Sequence, residues 1–120
     1  MAEMRQFETG ATRNLDTNKF DYEAFLSPMV IEEYGRFMHK HRFQADGVMR
    51  DGDNWQKGIP LSAYMKSAWR HFHSLWKIHR GHKAYDENGR EVDYKEEAMA
   101  LMFNVMGYVH ERLKTEENNA

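Results

Sequence analysis

The chain contains no cysteine in 120 residues. Disulfides, thiolate nucleophiles and zinc sites built on thiolates are excluded, and thiol usage says nothing about compartment. Proline is scarce, with only Pro28 and Pro60, and neither interrupts a periodic segment. No charge surplus exists either: the formal net charge of −2 offers no global attraction to a polyphosphate backbone, so nucleic-acid polymers are not expected partners. No apolar run approaches the roughly 18 residues of a membrane span, and the opening MAEMRQFETG has no apolar signal-peptide core. The expectation is a soluble, cytoplasmic protein without a membrane partner.

What is present fits one globular domain: 30% charged residues, 41% hydrophobic, and a length suited to a single core. Nine methionines point to an adaptable, helix-built interior. Residues 1–26 show no sustained period and are rich in turn formers, which predicts an extended arm. Its aromatics Phe20, Tyr22 and Phe25 favour docking on the rest of the chain. A helical domain follows over 27–114, and the polar residues 115–120 read as a flexible tail.

Three helices are predicted. Ser27 as N-cap and Pro28 at the first helical position open one whose stripe is Val30, Tyr34, Phe37, Met38 and His41, ending by Gly47. A second begins at Pro60 and runs to about His79, with Leu61, Tyr64, Met65, Ala68, Trp69, Phe72, Leu75 and Trp76 at helical spacing and Gly81 as the stop. Residues this large at that spacing are expected to be core. Asp93 followed by Glu96 opens a third as a capping box. Between the second and third, Asn88-Gly89 predicts a short hairpin or loop, its charges from Asp86 to Asp93 solvated. The fold class expected is all-α: a small bundle of three main helices with an extended N-terminal arm, completed by homo-oligomerisation.

On helical wheels at about 100° per residue, His41 falls within the first apolar stripe and His79 along the second. His71 lies at the flank of the second and Arg70 roughly opposite. Glu97 and Asn104 share a line at the border of the third. His41 and His79 are each open to two readings: a satisfied core or helix-end imidazole, or a residue facing a ligand. Glu97 with Asn104 is either a hydrogen-bonding pair across the bundle or a line of oxygen ligands for Mg²⁺. The loop DNWQKGIP places Trp55, Lys57 and Gly58 before a helix start, offering a stacking plane, a cation and backbone donors together. A nucleotide needs those groups, although a packed surface Trp remains the alternative.

The strings TGATRN and NKFDY, then NWQKGIP, then SAWRHF, then EEAMALMFN together resemble the phage-associated small helical dATP/dGTP diphosphohydrolases, from Glu8 to about Val109. The resemblance implies site residues Arg13 and Lys19 on the arm, Asn54, Trp55, Lys57 and Gly58 on the loop, Arg70 and His71 on the second helix, and Asn104 on the third. It also implies hydrolysis at the α-phosphate of purine deoxynucleotides, in the cytoplasm of the infected host cell. In that reading Trp55 stacks the base or caps the pocket, Lys57, Arg70 and Arg13 hold phosphates, and His41 joins the substrate contacts. His71 serves as general acid or base, or as a phosphate donor, with Glu97 catalytic. Glu97 and Asn104 help ligate Mg²⁺. The ExxE and ExxD pairs with which other all-α pyrophosphohydrolases hold Mg²⁺ are absent. That absence motivates the alternative, a protein that binds and sequesters a nucleotide or nucleotide-derived signal without cleaving it.

Overall fold

The computed structural model describes residues 3–119, which divide into two compact units, one up to Ile31 and one from Glu32 onward. In the first unit, β1 (Met4–Gln6) pairs antiparallel with β2 (Thr12–Asn14), Arg5 opposite Arg13. The connecting turn closes through Gly10, whose φ of 90° suits a residue without a Cβ. Facing arginines repel, and Arg5 is answered by Asp16 at 2.8 Å. A one-turn helix, α1 (Tyr22–Phe25), is capped by the Asp21 side chain, which accepts from the Ala24 amide. Ser27 caps α2 (Pro28–Lys40) in the same way, accepting from the Val30 amide at 3.3 Å.

The second unit is built on α3 (Leu61–His79) and α4 (Tyr94–Asn118), joined by β3 (Ala84–Tyr85) and β4 (Glu91–Val92), an antiparallel pair. Asp93 caps α4, accepting from the Glu96 amide at 2.8 Å. Gly81, at φ 87°, ends α3. Small residues on α4 set the distance to α3: a methyl group at Gly107 would overlap the Tyr64 ring. Tyr64 is 1% exposed, packs edge-on to Phe103 at 5.9 Å, and its buried hydroxyl finds no partner among the described residues. An unmet hydroxyl costs about 1–3 kcal/mol, so this residue is held by the fit of its ring. Ala84 and Val92, opposite each other in the hairpin, and Met99 and Ala100 of α4 complete the buried apolar set.

The expected all-α bundle of three helices is not what forms. Four α-helices and two small antiparallel sheets are present among the described residues. The arm's apolar and turn residues show no long period, which predicts an extended segment, yet three-residue strands need only a tight turn, and Gly10 supplies it. The first helix also stops at Lys40 rather than near Gly47, because the chain folds back: Phe43 bridges Met49, and Arg50 takes the His41 carbonyl. The second begins at Leu61, with Pro60 extended as its N-cap. The third continues to Asn118, so residues 115–118 of the expected flexible tail are helical, while Ala120 lies outside the described residues.

The largest correction concerns the aromatic stripe expected to be core. Tyr64 is enclosed, but Trp69, Phe72 and Trp76 stand exposed on α3. One stripe at helical spacing covers more than one face of a helix, and α4 takes only the Tyr64 side.

Candidate functional site

Two hollows in the second unit share a wall made by His41 and Phe103. The first, about 170 Å³, is lined by Trp55, Asn54, Ile59 and Met38, with Arg42, Arg50 and Asp51 bringing charge. The second, about 300 Å³, is lined by His71, Glu97, Asn104, Ser67, Phe37 and the charged residues Asp86, Arg90 and Glu96.

The indole hollow is shaped by a latch between two arginines. The Arg50 amide donates to the Arg42 carbonyl at 2.8 Å, and Arg42 Nε donates back to the Arg50 carbonyl at 2.9 Å. Arg50 also donates through Nε and Nη2 to the carbonyl of His41, satisfying a carbonyl left over where α2 ends. Both guanidiniums keep further N–H donors for a ligand. Asn54 and Trp55 follow on a 3-10 turn, Asn54–Lys57, and the half-buried indole packs edge-on to His110 at 4.8 Å.

In the carboxylate hollow, Glu97 is 5% exposed and Asn104 5% exposed, both on the face of α4 turned to α3. His71 Nδ1 donates to Glu97 Oε2. A carboxylate can only accept, so this contact places the proton of a neutral ring on Nδ1 and leaves Nε2 as an acceptor. Asn104 donates Nδ2–H to the Ala100 carbonyl at 2.7 Å, which leaves its Oδ1 as an acceptor. Arg90 on the hairpin donates to Glu96 at 2.8 Å and to Asp86 at 3.2 Å, and Lys40 lies 3.8 Å from Glu96. The Asp86 carboxyl is held below the usual carboxylate range, first by the Arg90 backbone amide and further by the Arg90 side chain and the Asn88 amide. The hairpin charges expected to be merely solvated therefore form one wall of the hollow.

His41 sits between the hollows with Phe37 at 4.3 Å. Desolvation pushes its pKa down, Lys40 adds to this, and Glu96 opposes it. The shift favours the neutral ring, both acceptor and donor, over the cation.

The structure thus brings His41, Asn54 and Trp55 to one hollow and His41, His71, Glu97 and Asn104 to the other. Lys57, at the end of the 3-10 turn, and Gly58, at φ 108°, are exposed and line neither. Arg70 lines neither hollow, and its Nη2 donates at 3.4 Å to the Oγ of Ser67, a residue of the second hollow's wall. Arg13 lies on β2 and Lys19 in the loop after it, both exposed in the first unit. The cations beside the indole are Arg42 and Arg50 rather than Lys57. Sequence spacing missed them because the reversal between Phe43 and Met49 returns Arg50 to the end of α2. Arg90 was missed likewise, although the Asp86-x-Asn88-Gly89 turn was a signal that the hairpin is ordered.

Among the described residues no three His, Asp or Glu side chains converge as a metal cage. Besides the carboxylates Asp86, Glu87 and Glu96 on its wall, the hollow offers a cation an oxygen of Glu97 and Oδ1 of Asn104, donors that would fit Mg²⁺ held by few protein ligands together with phosphates and water. No helix of the described residues is long and apolar enough to cross a membrane. No protein-family model, curated protein or solved structure matches the chain.

Proposed function

We propose that the chain is a nucleotide pyrophosphohydrolase acting on purine deoxynucleoside triphosphates such as dATP and dGTP, in phage nucleotide metabolism. The observation that carries this reading is the His71–Glu97 pair, buried on its carboxylate side, in a hollow adjoining one with an indole and two latched arginines. The resemblance to the dATP/dGTP diphosphohydrolases supports it at Asn54, Trp55, His71 and Asn104.

In the proposed reaction Glu97 holds the His71 ring so that Nε2 can take a proton from water as its oxygen attacks the α-phosphorus. The new bond is O–P; the bond broken joins the α-phosphorus to the bridging oxygen, which leaves with pyrophosphate. Arg90, anchored by Asp86 and Glu96, lies on the hollow's wall where charge develops on phosphate oxygens. Mg²⁺, held by Glu97 and Asn104 with the phosphates, would neutralise that charge further. Trp55 offers an apolar wall for the base in the first hollow.

The test is incubation with dATP or dGTP and Mg²⁺ while nucleoside monophosphate and pyrophosphate are measured. Release of both in equal amounts is expected. No turnover of any nucleotide by folded protein rules the enzyme out. A second reading, binding without cleavage, is favoured by the single buried carboxylate of the hollow. Intact nucleotide recovered from denatured protein would support it.

A further inference from the structure

We infer that the exposed aromatic seam of α3, Met65, Trp69, Phe72 and Trp76, is the docking surface for a second copy of this chain, which sets its own α4 against it. The inference is independent of the nucleotide reading.

The seam is continuous. Met65, Trp69 and Phe72 with Leu101 of α4 line one apolar hollow, and Trp69, Phe72 and Trp76 line the next along the helix. Trp69 is 67% exposed and Trp76 55%. At about 150–250 Å² for each large aromatic, these fractions leave roughly 500 Å² of apolar surface on α3 alone, the upper end of what a monomer presents. Further round α4, Met102, Val105, Met106, Val109 and Leu113 are also exposed. Together the two stripes reach the roughly 800 Å² per partner of a standard interface.

Spacing and charge select the occupant. The α3 seam advances by four, three and four residues, and α4 repeats at 102, 105/106, 109 and 113, the period with which helices pack along one another. Between Leu61 and His79 there is no acidic residue, and Lys66, Arg70 and Lys77 fall on one flank. Packing α3 on the partner's α3 would place like charges together. On α4, Glu116 and Glu117 stand with Arg112 and Lys114 at the end of the stripe, so the partner's α4 brings a mixed-charge end with carboxylates for the α3 cations, where the partner's α3 brings none. A two-fold axis makes that contact twice and closes four helices. The seam also lies about 130° round α3 from His71, so assembly leaves both hollows open.

Light scattering coupled to size exclusion decides it. Wild-type protein is expected at twice the 14.3 kDa of one chain, and Trp69→Glu at one, with helical circular dichroism retained. Val105→Glu provides an independent variant on the opposing stripe and should also be monomeric. A wild-type monomer overturns the inference, as does a dimer that survives both substitutions. Flotation of monomer with anionic vesicles, in place of a dimer, overturns it in favour of a lipid surface.

Discussion

His71 and Glu97, 26 residues apart in sequence, meet in one hydrogen bond between α3 and α4. The imidazole is partly open to solvent while the carboxylate is enclosed, so Glu97 orients and His71 is the group a ligand can reach. Glu97→Gln keeps the volume but can offer Nδ1 either a donor or an acceptor, and the tautomer is no longer imposed. Under the proposed hydrolysis the variant should lose about 10²–10⁴-fold in kcat. Nitrogen chemical shifts of the His71 ring should show Nδ1 protonated in the wild type and mixed tautomers in Glu97→Gln. An unchanged ring would refute the orienting role.

Arg50→Lys tests the latch. Lysine cannot reproduce the paired Nε and Nη2 donation to the His41 carbonyl. The loop from Phe43 to Met49 should then exchange its amides faster, with α3 and α4 unaffected. Uniform protection in the variant would mean that the bridge, rather than the guanidinium, holds the loop.

The pH dependence follows from His41. Its pKa in the folded chain is lowered, chiefly by desolvation, so between the folded and unfolded values the unfolded chain binds more protons. Stability contributed by the neutral ring is present above the ordinary value near 6.5 and is lost as pH falls through the folded value. Urea midpoints measured downward from neutral pH should fall, and His41→Gln should flatten that slope. An equal slope in the variant would assign the effect elsewhere.

Gly107→Ala inserts a methyl group into the Tyr64 ring. Overpacking of this kind costs about 1–3 kcal/mol, visible in thermal or urea unfolding. The same substitution in a Tyr64→Leu background should cost less, because the ring is what the methyl meets. Equal costs in both backgrounds would place the strain somewhere other than this contact.

Much of the local structure was legible from neighbours in sequence. Ser27, Asp93, Gly81 and the Asn88-Gly89 turn each act within four residues, and each marks a boundary the structure keeps. Asn54, which the resemblance implies, and Trp55 line one hollow, and His71, Glu97 and Asn104, marked by their places on the helical wheels, line the other. Lys57 and Arg70 were singled out by proximity to Trp55 and His71 along the chain, yet adjacent side chains on a turn or helix point in different directions.

Sequence by itself determined where α2, α3 and α4 start and where α3 stops, which positions carry apolar side chains, and which residue types were available for chemistry, because caps, periodicity and composition are local quantities. Only tertiary structure decided that Arg42 and Arg50 rather than Lys57 stand by the indole, that Glu97 meets His71, and that Tyr64 is enclosed while Trp69 and Trp76 are exposed. Those outcomes depend on the angle and distance at which α4 meets α3 and on the loop reversal after α2. Contacts between distant segments set both, and no spacing along the chain records them.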